Sequence, residues 1–185
     1  MYTRIFDVFF SLLGLLIGLP AFCILLVIGY LDTGSPIFSQ VRVGRDLKPF
    51  TLYKFRTMKP GTASVATHLA SADAITPLGN FLRKTKLDEL PQLFNVLQGD
   101  MSLVGPRPCL FSQEELIQER LARGVFNFRP GITGLAQVNN IDMSNPVLLA
   151  QFDEAMLKKI SLFDYFRLIF MTISGKGSGD RVIRR

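Results

Sequence analysis

Two adjacent carboxylates, Asp88 and Glu89, head an apolar repeat of Leu90, Leu93, Phe94 and Leu97 that stops at Gly99. This spacing predicts a helix with the acids in its first turn. Pro91 is tolerated there because its missing N–H needs no partner, and Gly99 supplies the stop. A helix start offers unpaired N–H groups and a positive dipole end, which keep carboxylates ionised and suit a phosphate nearby. Arg107 follows in Gly105-Pro106-Arg107-Pro108, where two prolines stiffen the backbone around a cation. An aspartate, a glutamate and an arginine are the parts needed to handle a phosphoryl group. Acids in a first helical turn are more often simple caps, so the rest of the chain has to decide.

The 185 residues suffice for one domain with a real core. A net charge of +6 suits anionic partners: nucleic acid, anionic lipid or a phosphorylated substrate. Tryptophan is absent and no run alternates basic with aromatic residues, which argues against nucleic acid. His68 is the only histidine and there are two cysteines, which argues against Ser/His/Asp catalysis and the usual zinc sites. Cys23 and Cys109 lie in unrelated settings and read as free thiols of a reducing compartment.

The elements that must position the acids begin with an apolar run. Val8 to Tyr30 carries no charge. Its roughly 23 residues would reach across about 30 Å of hydrocarbon as a straight helix. Pro20 near its middle predicts a kink. Basic residues flank both ends, Arg4 before and Arg42, Arg45 and Lys48 after, which places both ends on the cytoplasmic side. A helix–break–helix that dips into one leaflet and returns satisfies both features; a kinked span is the alternative.

Ile37–Val43 and Phe50–Met58 alternate around a turn at Gly44–Pro49 and predict a hairpin, with aromatic residues on one face and Lys54 and Arg56 on the other. That basic face reads equally as solvated or as turned toward phosphate or lipid headgroups. Lys59–Ala74 predicts a loop able to cover the site. Thr76-Pro77 starts a helix whose end is crowded by Arg83, Lys84 and Lys86, just ahead of Asp88. Ser112–Arg123 predicts a polar amphipathic helix, and Arg129-Pro130-Gly131 a turn leading to Gly134 and a short strand. A helix from Asn145-Pro146 runs to about Ile160. Leu162, Phe163, Phe166, Ile169, Phe170 and Ile173 then form a stripe suited to a core or to a bilayer interface.

In order, the run around Pro20, Tyr53-Lys54-Phe55-Arg56-Thr57-Met58, Leu87 to Val96, Gly99-Asp100-Met101-Ser102, Gly105 to Pro108 and Arg129 to Val138 resemble the small monotopic phosphoglycosyl transferases. These bacterial sugar transferases begin glycan assembly on a polyprenol phosphate. The resemblance covers nearly the whole chain. It implies an α+β fold in a single domain, with a re-entrant membrane helix at 1–31, a catalytic part at 32–175 and a tail at 176–185. It implies that Asp88 attacks the β-phosphate of a UDP-sugar and expels UMP, and that undecaprenyl phosphate then takes the phosphosugar from the aspartyl intermediate. Mg²⁺ would be held by Glu89 and Asp88. Lys54, Arg56, Arg83, Arg107, Arg129 and Gln137 are the implied phosphate or nucleotide contacts, and Pro20 the helix break. Leu19 stands where many members have serine. The implied location is the cytoplasmic face of the bacterial inner membrane, among phospholipids and near downstream glycosyltransferases, with no nucleic acid involved. The sugar and the oligomeric state are left open. An inactive membrane-surface scaffold and a direct, non-covalent-intermediate transfer are the competing readings.

Overall fold

A computed structural model describes residues 2–62 and 72–177. The expected covering loop lies largely outside the described residues, as do His68 and most of the expected basic tail. Seven helices and two small two-stranded sheets make up the described part, an α+β arrangement as the sequence implies.

Helix α1, Tyr2–Thr33, is continuous, with Pro20 inside it. The expected interruption of helical structure at Pro20 is therefore not drawn; a proline removes one hydrogen bond while the turns on either side persist. One face of α1 lies on the rest of the molecule along its whole length. Arg4 donates to the carbonyls of Val96 (2.6 Å) and Leu97 (3.0 Å). A Cβ on Gly14 would come within 3.1 Å of Leu93, so the helix backbone lies close there. Past Pro20, the Phe22 ring meets those of Phe55 and Phe94, and Asp32 accepts from the Thr76 hydroxyl at 2.7 Å. The opposite face, including Leu16, Ile17, Val27 and Leu31, is exposed.

Strands β1 (Ile37–Val43) and β2 (Pro49–Phe55) form the predicted antiparallel hairpin, in register from Ile37 opposite Phe55 to Val43 opposite Pro49. The expected division into an aromatic and a basic face does not hold. Phe50, Leu52 and Lys54 alternate along β2 and all three are buried, so Lys54 shares the inward face with apolar side chains. Arg42 is buried as well.

Helix α2, Pro77–Thr85, starts as predicted: the Thr76 hydroxyl accepts from the Gly79 N–H at 2.9 Å. It ends at Lys86, whose left-handed backbone (φ 59°) turns the chain sharply. The acids then follow in a separate 3₁₀ turn, Leu87–Glu89, and helix α3 begins only at Gln92 and runs to Gln98. The single predicted helix is thus two short pieces. Leu93 and Phe94 donate back to Leu90 and Pro91 through three-residue turns, and no α-type bond spans the proline. Gly99 ends α3 as expected, at φ 96°. Alanine there must adopt a left-handed backbone, so Gly99→Ala is expected to destabilise the fold by about 1–2 kcal/mol, read as a lowered melting temperature.

Asn95 fastens α3 to the hairpin: its side chain accepts from the Tyr53 N–H (3.1 Å) and donates to the Thr51 carbonyl (2.7 Å). Strand β3 (Ser102–Val104) then pairs in parallel with β4 (Gly131–Thr133). The strands run into glycine-lined loops that touch backbone to backbone. A Cβ on Gly131 would fall 2.0 Å from the Gly105 nitrogen.

The rest is helical: α4 (Glu114–Ala122), α5 (Leu135–Val138), α6 (Pro146–Lys159) and α7 (Leu162–Ile173). A core of Phe50, Leu52, Val96, Met101, Leu103, Val138, Met156, Tyr165 and Leu168 joins hairpin, α3 and these helices. In α7 the buried positions are Tyr165 and Leu168, while Leu162, Phe163, Phe170 and Ile173 of the predicted stripe are exposed. Most of that stripe therefore faces outward, while Phe166 and Ile169 pack against the core.

Candidate active site

Asp88 and Glu89 are both buried, at 4% and 9% exposure, inside the 3₁₀ turn between α2 and α3. Strand β2 packs against this turn, so buried Lys54 comes from the neighbouring strand. The Glu89 carboxylate accepts a charge-assisted hydrogen bond from Arg107 Nη2 at 2.8 Å. Lys86 stands beside the same pair. Its Nζ donates to the Thr172 (3.3 Å) and Lys176 (2.7 Å) carbonyls at the end of α7. Burial pushes the Lys86 ammonium below its ordinary pKa; Glu89 opposes this and Arg107 adds to it. Arg107 is thus the cation in direct contact with the Glu89 carboxylate, and Lys86 is tethered to the end of α7.

The structure gathers some predicted site residues here and engages others elsewhere. Arg83, at the end of α2, donates through Nε to Thr57 Oγ1 at 2.9 Å. Arg56 donates to the Ser35 carbonyl (2.8 Å) and lies 5.5 Å from the Phe38 ring centroid, a contact that steadies the start of the hairpin. Arg129 donates to the Gly99 carbonyl at 2.7 Å. With Arg4, it satisfies the C-terminal end of α3, away from the end that carries the acids. Gln137 donates to the Ile132 carbonyl at 3.0 Å, and its own buried Oε1 has no hydrogen-bond partner. Pro20 lies within α1. Among the described residues, no group of three or more His, Cys, Asp or Glu side chains gathers as a metal cage.

Two residues that the sequence reading overlooked, Arg120 and Asp153, and one that it read only as a basic flank, Arg42, support the Arg107 loop. Arg120, 1% exposed, sits on the inward face of α4, four residues after buried Leu116. Its Nε and Nη2 donate to Asp153 Oδ2 of α6 at 3.0 and 2.7 Å, and its Nη1 to the Arg107 carbonyl at 2.8 Å. Burial pushes the Asp153 carboxyl up, against the pull of Arg120. Arg42 Nη1 reaches the Pro108 carbonyl at 3.2 Å. One available signal was the four-residue spacing of Leu116 and Arg120, which puts a cation on the helix's apolar face.

The chain matches the model of the bacterial sugar transferase family over residues 1–176. The chain belongs to that family. Over 108 residues it is 48% identical to a putative undecaprenyl-phosphate N-acetylgalactosaminyl 1-phosphate transferase of Bacillus subtilis, covering 57% of this chain and 60% of that protein. It is 38% identical to the UDP-galactose-lipid carrier transferase of Erwinia amylovora, across 92% of this chain and 39% of the relative. Identity is also 38% with the UDP-glucose:undecaprenyl-phosphate glucose-1-phosphate transferase of Escherichia coli, across 88% and 37%. The chain thus spans less than half the length of the last two relatives. The family match embraces α1, the acidic turn, the Gly105–Pro108 loop and α7 together. The named sugars differ from one relative to the next.

Proposed function

We propose that this family member transfers a phosphosugar from a UDP-sugar to undecaprenyl phosphate. The observation that carries the reading is the acidic turn itself: Asp88 adjoins a carboxylate already paired with the Arg107 guanidinium. A carboxylate becomes a usable nucleophile toward phosphorus when cations neutralise and orient the phosphoryl group. An Asp88 oxygen attacks the β-phosphorus, the bond to the bridging oxygen breaks, and UMP departs with that oxygen. A phosphate oxygen of the lipid then attacks the same phosphorus and releases the Asp88 carboxylate. Only 4% of Asp88 is exposed, so the carboxylate has to be uncovered as the donor binds. In this reading Arg107, held on the neighbouring carboxylate, offsets the charge that builds on the phosphoryl oxygens.

Two adjacent carboxylates without a fuller protein cage suit Mg²⁺, which takes one or two carboxylates and completes its shell with water and substrate phosphate. Glu89 and Asp88 would hold it, and it would supply charge neutralisation on the diphosphate.

The acceptor brings a lipid tail, and the exposed faces of α1 and α7 are apolar. Contacts of α1 with the body lie on both sides of Pro20, at Arg4 and at Asp32. A helix standing through a bilayer would lose one of these sets to lipid. This supports monotopic seating, with both ends of α1 on the cytoplasmic side and the acidic turn near headgroup depth. Detergent-solubilised protein incubated with Mg²⁺, undecaprenyl phosphate and a panel of UDP-hexoses and UDP-N-acetylhexosamines should release UMP with one or a few of them. No UMP from any donor would overturn the enzyme reading and leave the scaffold reading standing.

A further inference from the structure

The loop Gly105–Pro108 contains two prolines, so only Gly105 and Arg107 carry N–H groups, and that of Gly105 donates to the Thr133 carbonyl at 2.8 Å. Its carbonyls are held in addition, one after another, from different elements. The Pro106 carbonyl accepts from the Gly131 N–H at 2.9 Å. That of Arg107 accepts from Arg120 Nη1 at 2.8 Å. Pro108 accepts from Arg42 Nη1 at 3.2 Å, and Cys109 from the Val43 N–H at 2.9 Å. Four successive carbonyls are thereby fixed by β4, α4 and β1. Two of the donors are buried guanidinium groups, at 1% exposure for Arg120 and 6% for Arg42.

Burying a cation is expensive unless it is paired. Asp153, itself 1% exposed, pairs with Arg120. An apolar side chain could fill that volume without the electrostatic cost. What an apolar group cannot do is donate a hydrogen bond to the carbonyl oxygen of the loop. The far end of the gripped residue is the Arg107 guanidinium on Glu89.

We infer that Arg120, with its counter-ion Asp153, and Arg42 are positioning residues for the transfer, fixing the Arg107 backbone so that its guanidinium stays on Glu89. The inference rests on the transfer reading for its consequence, although the clamp exists independently of any substrate. Misplacing a charge-stabilising group by as little as about 1 Å can cost about 100-fold in rate. Lysine at 120 keeps the charge facing Asp153 but lacks the planar fork needed to hold Asp153 and the Arg107 carbonyl together.

The test compares Arg120→Lys, Arg107→Lys and the double variant in UMP release at saturating and limiting UDP-sugar. Arg120→Lys should lower kcat about tenfold or more while KM moves less than about threefold. In the Arg107→Lys background the same change should cost less than about threefold, because the two residues act as one unit. Equal losses in both backgrounds would overturn the inference, since a purely structural residue acts additively. Should Arg120→Lys fail to fold, Arg42→Lys takes its place in the same cycle. A substrate-free readout keeps the clamp separable from the reaction. In ¹⁵N-arginine-labelled protein, the Arg107 Nη resonances should be resolved by hindered rotation and should merge in Arg120→Lys or Arg42→Lys. Unchanged resonances in both variants would overturn the clamp even if no UDP-sugar proved to be a donor. Resolved resonances with no UMP release would count against the transfer reading alone.

Discussion

Asp88→Asn is expected to reduce UMP release by about 10³-fold or more, with the protein still folded, because an amide cannot form the covalent phosphosugar intermediate. Asparagine has nearly the same size and keeps one acceptor oxygen at the same place in the turn. A melting temperature close to wild type therefore separates lost chemistry from lost fold. Glu89→Gln should act differently. It removes the charge that Arg107 grips at 2.8 Å while leaving an amide oxygen that can still accept. Its loss should be smaller, about 10- to 100-fold. Brief incubation with UDP-sugar labelled in the sugar should leave label on wild-type protein and none on Asp88→Asn. Unlabelled but active wild-type protein would favour direct attack by the lipid phosphate. UMP release unchanged in Asp88→Asn would remove this residue from the mechanism.

The largest stability effect is expected far from that turn, at Asp7. This carboxylate lies in α1 and is 2% exposed. It accepts from the Ser102 hydroxyl (2.9 Å) and the Leu103 N–H (2.9 Å) of β3, and from the Tyr165 hydroxyl (2.7 Å) of α7. Burial, then the bond and charge of Asp7, push the Tyr165 phenol well above its ordinary pKa. Asp7→Ala strands three buried donors at once. The expected cost is about 3–5 kcal/mol, or roughly 10 °C in melting temperature for a chain of this size. Asp7→Asn keeps the Oδ1 position, which serves all three donors, and should cost less than half as much. Equal losses for the two variants would mean that the charge, and not the acceptor geometry, holds α1 to β3 and α7.

That network illustrates where the sequence stopped being informative. A single aspartate near the start of an apolar run reads as a boundary residue, because its partners lie at positions 102, 103 and 165. The same holds for Arg120, whose partners Arg107 and Asp153 come from a loop and another helix. Lys54 and Arg56 looked alike on an alternating strand. Burial separates them, since Lys54 points inward and Arg56 is tied to Ser35. Arg129 belonged to a motif read as phosphate-binding, and its guanidinium donates to the Gly99 carbonyl at the end of α3, a contact the motif did not foretell.

Local physics was enough for several elements. Thr76-Pro77 started α2, Gly99 stopped α3, the turn at Gly44–Lys48 set the hairpin, and the uncharged length of Val8–Tyr30 made a helix. Each of these depends on neighbours within a few residues: a cap, a left-handed glycine, a two-residue alternation, an absence of charge. The types and order of the motifs likewise carry the resemblance to the family whose model the chain matches. Tertiary structure alone decided which cations face the acids, which clamp the Arg107 loop, and which cap a helix. Those assignments depend on long-range packing and on the desolvation it imposes. A guanidinium's partner is set by whichever buried carbonyl or carboxylate the fold brings within reach, and one-dimensional spacing carries no record of that meeting.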